Sequence, residues 1–158
     1  MSWMLRLTSP GSVILRGTRN EERGMRNYTI DHIGYLTGDI SSTAKEFERL
    51  GYVAGEVVDD DTQRTKICFL TKPGEVRIEL VEPYEDNKTM QKMLTKRGVT
   101  PYHTCYEVDD VEGEYEKLIQ EDWTALFKPV DAPAFDNRKI CYFWNSEIGF
   151  IELVNREK

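Results

Sequence analysis

The string Ile78-Glu79-Leu80-Val81 returns unchanged as Ile151-Glu152-Leu153-Val154, 73 residues further on, and its setting returns with it. In each copy a Lys-Ile-Cys triplet, Lys66-Ile67-Cys68 or Lys139-Ile140-Cys141, stands 13 residues ahead of the glutamate, counted from its lysine. Upstream, Tyr28–Tyr35 (YTIDHIGY) aligns with Val99–Tyr106 (VTPYHTCY) at an offset of 71, which sets His32 opposite His103. Thr37–Ile40 then answers Val108–Val111, and Phe47–Tyr52 answers Leu118–Trp123. One four-residue match could be chance. Five matches in the same order identify a duplicated unit.

Each copy reads as strand, helix and three strands. The His-bearing segment alternates and is rich in Ile and Tyr; Ser41-Ser42-Thr43 offers an N-cap for a helix over Ala44–Leu50, with Gly51 as the stop. In the second copy Asp109 or Asp110 precedes a helix over Val111–Gln120, with Tyr115, Leu118 and Ile119 as its apolar stripe. Glu56–Val58, Ile67–Thr71 and Val76–Val81 are short, β-branched and separated by turn residues such as Pro73-Gly74. The expected architecture is α+β: two tandem βαβββ modules, residues 27–86 and 99–158, forming one curved mixed sheet around a cavity. Between them, 87–98 reads as a helical connector whose Met90, Met93 and Leu94 pack on the sheet. Residues 1–26 carry scattered Arg, three Gly and a Pro with no strong period, and read as a tail outside the fold. Their short apolar runs, interrupted by Arg, do not match a secretory signal, and Glu21 and Glu22 weaken a presequence reading.

Strand alternation gives Glu79 and Glu152 a common environment. If the flanking Ile and Leu pack on helices, each carboxylate projects from the opposite face of the sheet, where it needs a positive partner. His32 and His103 are the only histidines in the chain and occupy matched positions. Pseudo-symmetry brings matched positions together, so two imidazoles and two carboxylates are expected to hold one divalent ion, Zn, Ni, Co or Mn. Such a set leaves positions open for chemistry. A lone His or Glu on a strand is ordinarily structural; it is the repetition of both that points to a metal site.

Composition narrows the partners. The formal charge of −7 with scattered basic residues excludes a nucleic-acid stripe, and no apolar run approaches the roughly 20 residues of a membrane span. Cys68, Cys105 and Cys141 are odd in number, lack CxxC spacing and lie in apolar runs; buried thiols in a reducing, cytoplasmic compartment are expected.

DHIGYL (31–36), IELVEP (78–83), PYHTCYEVDDV (101–111) and IGFIELV (148–154) resemble the metal-ligand strands of the vicinal oxygen chelate superfamily, over Tyr28 to about Asn155. Within it the likeness is to methylmalonyl-CoA epimerases and epimerase-like glyoxalase-fold proteins. The resemblance implies the glyoxalase fold, a homodimer, and His32, Glu79, His103 and Glu152 as ligands. It further implies an isomerase, epimerase or lyase acting on a small acyl-thioester or 2-oxo compound through an enediolate, with Glu152 and Glu79 beside the reacting carbon. Where the epimerases carry a catalytic glutamate, this chain has Asp60–Arg64 with Thr62 or a neighbour at that place, so Asp61 becomes the candidate base. Pro129–Arg138 reads either as a plain surface loop or as a loop over the site, in the latter case with Phe135 as an apolar wall and Arg138 and Lys139 as binders of an anionic substrate group. The alternatives are a non-catalytic small-molecule binding or resistance protein of the same fold and an iron-dependent dioxygenase.

Overall fold

A computed structural model describes residues 26–157. The expected tail falls almost wholly outside them. In chain order the elements are β1 (Thr29–Leu36), α1 (Ile40–Arg49), β2 (Val53–Asp60), β3 (Thr65–Thr71), β4 (Arg77–Pro83), α2 (Lys88–Arg97), β5 (Thr100–Val108), α3 (Val111–Gln120), β6 (Thr124–Ala125), β7 (Val130–Ala132), β8 (Arg138–Asn145) and β9 (Gly149–Asn155). A 3-10 turn, Pro133–Phe135, links β7 to β8. Among the described residues no helix is long and apolar enough to cross a membrane.

All nine strands form one sheet in the order β2-β3-β4-β1-β5-β9-β8-β6, with β7 also pairing β8. The two His-bearing strands lie antiparallel at its centre, and each has its module's last strand parallel on its outer side. The second module departs from the first in one respect: its second strand is broken into β6 and β7, with Leu126–Pro129 between them.

Alternation sorts the core as the IELV pattern requires. Ile78 and Leu80 pack with Ile40 and Ala44 of α1, and Ile151 and Leu153 pack with Val111 and Leu118 of α3. On the opposite, concave face Cys105, Ile140, Tyr142 and Val154 pack with Ala132 and Phe135. All three cysteines are buried free thiols.

The start of α1 differs from expectation, while α3 begins at Val111 as expected, with Asp110 at its N-cap position. The N-cap of α1 is Asp39, whose Oδ1 accepts from the Ser42 N–H at 3.0 Å, ahead of the Ser-Ser-Thr run. Asp110 precedes α3 but makes no side-chain cap bond. Instead the first helical N–H is met from afar in both modules: Ile40 donates to Glu82 Oε2 (2.9 Å) and Val111 to Asn155 Oδ1 (2.8 Å). Glu82 and Asn155 are repeat mates, each directly after IELV. The last strand of each module thus caps its own helix, a contact that local spacing does not reveal.

The connector departs from expectation as well. No side chain of α2 is fully buried, and Met90 and Met93 line a cavity rather than pack on the sheet. The outer face of the sheet is already covered by α1 and α3, which leaves α2 at the cavity mouth.

Candidate metal centre

Two adjacent cross-strand rows build the site. Read by register, the first runs Arg77, His32, Cys105, Glu152, Tyr142, and the second Phe69, Glu79, Gly34, His103, Phe150. Each places a small residue between an imidazole and a carboxylate. At Gly34 this is a necessity, since a Cβ there would lie 2.0 Å from His103 Cε1. Cys105, the repeat mate of Gly34, holds the matching place opposite His32. The H-x-G and H-x-C spacings of the central strands are therefore part of the site, a signal that reading the histidines alone overlooked.

The four side chains converge. His32 Nε2 lies 3.0 Å from His103 Nε2, 3.3 Å from Glu79 Oε2 and 3.2 Å from Glu152 Oε2. His103 Nε2 lies 3.4 and 3.2 Å from the same two oxygens. All four residues are at most 4% exposed. An Nε2 carries at most one proton, so hydrogen bonds cannot satisfy three polar neighbours at each nitrogen. Among the described residues Glu79 Oε2 and both Glu152 oxygens have no hydrogen-bond partner despite burial, which is costly unless something else meets them. Donors about 2.1 Å from a shared cation stand roughly 3.0 to 3.4 Å apart, the range found here. The donor set fits a divalent ion, and the nitrogen and carboxylate chemistry suits Zn, Ni, Co or Mn.

The charges agree. Burial alone would raise Glu79 and lower His32. The imidazoles nevertheless hold the Glu79 carboxyl down at about 2, and Glu79 leads the groups that hold His32 well above its ordinary value. Burial alone would lower His103, but the adjoining Glu152 and Glu79 carboxylates move it up. Two carboxylates thus call for two positive charges, which protons on both imidazoles or one divalent ion would supply.

The second contact of each imidazole differs. His32 Nδ1 lies 2.7 Å from Asp31 Oδ1, which also accepts from the Arg77 guanidinium. This fixes the proton of a neutral His32 on Nδ1 and leaves Nε2 for a cation. His103 Nδ1 is buried without a hydrogen-bond partner among the described residues, and the repeat mate of Asp31 is Tyr102, whose ring packs edge-on against His103 at 4.4 Å. Tyr142 completes that side, its hydroxyl 3.4 Å from His103 Nε2. On the other side Phe135 stacks on His32 (5.5 Å) and Phe69 meets it edge-on (5.3 Å).

A cavity of about 520 Å³ adjoins the centre at Tyr102 and Tyr142. Phe150, on the same face of β9 as Glu152, lines it, and so do Thr62 and Gln63 from the β2–β3 turn. The remaining sequence candidates lie elsewhere. The side chain of Asp61 is 84% exposed beside Arg64 (3.5 Å), outside the cavity that its neighbour Thr62 lines. Arg138 spends its donors on the carbonyls of Phe135 and Asn155, tying the 3-10 turn to β9. Lys139 pairs with Asp131 and with Glu112 of α3, because alternation turns it to the helix-covered face. Phe135 is 2% exposed and covers His32 rather than lining the cavity.

The family model of the Glyoxalase/Bleomycin resistance protein/Dioxygenase superfamily matches residues 31–142, and the chain belongs to that superfamily. The fold is similar to that of a hypothetical protein from Bacillus halodurans C-125, with TM-score 0.73, 21% identity, and coverage of 84% of this chain and 97% of that one. It is also similar to methylmalonyl-CoA epimerase from Mycobacterium tuberculosis, with TM-score 0.72, 22% identity, and coverage of 82% and 88%. A variant of the Streptomyces coelicolor methylmalonyl-CoA epimerase in complex with 2-nitronate-propionyl-CoA gives TM-score 0.71, 20% identity, and coverage of 82% and 97%. At these identities the likeness concerns the fold. No curated protein sequence matches the chain.

Proposed function

We propose that the protein is a metal-dependent isomerase, epimerase or lyase that moves a proton beside a carbonyl in a small acyl-thioester or 2-oxo compound. The observation that carries this reading is the convergence of four buried donor atoms, with carboxylate oxygens that no hydrogen bond among the described residues satisfies. The epimerases among its structural neighbours support the reaction class. His32, Glu79, His103 and Glu152 would hold one divalent ion. Bound there, the ion would supply Lewis acidity, drawing charge from two substrate oxygens and acidifying the adjacent C–H. Asp31 holds His32 in the ligating tautomer. In this reading Glu152, whose second oxygen Oε1 is buried and unpartnered, would take the proton and return it. The surrounding Phe69, Phe135, Tyr102 and Tyr142 rings keep the region dry, which strengthens each electrostatic contact. The reading also takes the protein as a cytoplasmic homodimer, which light scattering and fractionation test.

Protein purified without chelators is expected to carry about one metal per chain, and His103→Ala to lose it, as elemental analysis would show. Deuterium from solvent should enter the α-carbon of one member of a panel of 2-oxo acids, 2-hydroxy ketones and acyl-CoA esters. One observation favours a second reading, a protein that sequesters its ligand: the cavity wall carries Thr62 and Gln63 where a basic carboxylate would be useful. Tight binding without exchange across the panel would select that reading.

A further inference from the structure

The two ends of the cross-strand rows are chemically unlike, although the repeat makes them equivalent in position. On the first-module side they are Phe69 and Arg77. Arg77 lies over the Phe69 ring (4.6 Å) and is paired with Asp31, while Phe135 covers His32. That mouth is shut by an ion pair and a ring. The second-module counterparts of Phe69, Arg77 and Asp31 are Tyr142, Phe150 and Tyr102, and all three line the cavity. The first-module position matching Phe135 is Thr62, also on the cavity wall. The same places that seal one mouth thus leave the other open.

Apart from the uncharged Gln63 and Thr89, the remaining wall is apolar. Met90 and Met93 come from α2, and Leu126, Phe127 and Val130 from the stretch where the second module's strand is broken. Among the described residues that line the cavity, none is charged. A carboxylate or phosphate inside would lose its hydration with no counter-charge in the wall, whereas an apolar body would gain by leaving water. The volume of about 520 Å³ is far more than a two- or three-carbon compound needs and lies within the range of sites for drug-sized ligands.

We infer that the ligand enters by this single mouth and carries an uncharged, apolar body attached directly to its oxygen-bearing end. The position of the oxygen-bearing end rests on the proposed metal centre; the apolar body rests on the cavity alone.

The test uses zinc-loaded protein and straight-chain 2-oxo acids from pyruvate to 2-oxooctanoate, with dissociation constants from calorimetry. Affinity should rise about three- to fourfold for each added methylene. The dicarboxylate 2-oxoglutarate should bind at least tenfold more weakly than the 2-oxo acid of equal chain length. Met93→Lys should flatten the series; Met93 is half-buried on a helix with no fully buried side chain, so the variant should fold, as a thermal melt checks, and Met90→Lys is the second variant. In zinc-free protein the neutral dye Nile red should bind and be displaced by the longer acids. A flat series in the wild-type protein, or 2-oxoglutarate as the tighter ligand, overturns the inference. Chain-length dependence that is indifferent to zinc keeps the apolar cavity and removes the metal from ligand binding. Zinc-dependent binding without chain-length dependence does the reverse.

Discussion

Gly34 and Asp31 show how much of the centre lies in residues that bind nothing themselves. Gly34 faces His103 with no room for a Cβ, so Gly34→Ala must push the ring or the strand aside. We expect a loss of about 1–3 kcal/mol in stability by urea unfolding, and at least tenfold weaker zinc binding by competition with a chromogenic chelator. Asp31 acts through His32. Removing it frees the imidazole to rotate and strands Arg77, so Asp31→Ala should weaken zinc binding by about 10–100-fold. Asp31→Asn, which keeps an acceptor for the Nδ1 proton, should recover part of that loss. Equal losses in both variants would mean that the carboxylate serves only its ion pair with Arg77.

At the scale of elements, each βαβββ module is closed by one hydrogen bond from the first turn of its helix to the residue after IELV. Glu82→Ala and Asn155→Ala should each cost about 0.5–2 kcal/mol by thermal unfolding, the range of a lost N-cap. The Glu82 change should cost more, because that carboxylate also meets the Lys66 ammonium at 3.2 Å and faces the positive end of α1. The broken strand of the second module works in the other direction. By breaking between β6 and β7 it supplies cavity wall at Leu126 and Phe127, where the first module has continuous β2.

The molecule as a whole stores opposite charges at its centre, and pH reads them out. In metal-free protein His32 and His103 are held above their ordinary value near 6.5. Their contribution to stability is complete below about pH 6.5 and is lost as pH rises through the raised folded values. Glu79 and Glu152 are held below 4.5. Their contribution is complete above about pH 4.5 and is lost on acidification toward the lowered values, about 2 for Glu79. Chelator-treated protein should therefore melt highest between about pH 4.5 and 6.5 and lose stability toward pH 9. Saturating zinc should remove the alkaline loss, and zinc affinity should fall on acidification because the imidazoles must release protons to ligate. An apo melting curve that climbs steadily to pH 9 would mean that the histidines are neutral there.

The repeat made the duplicated fold legible before any coordinates, because two copies of one pattern fix which strands correspond and alternation fixes which face each glutamate takes. The four converging side chains followed from the same symmetry. What symmetry could not give was its own breaking: that Asp31 and Arg77 shut one mouth while Tyr102 and Phe150 open the other, that α2 turns its methionines to the cavity, and that Lys139 and Asp61 lie away from it. Those outcomes depend on which side chains meet across strands far apart in sequence, and on the register that sets Gly34 under His103. Such contacts come into being only when the sheet closes.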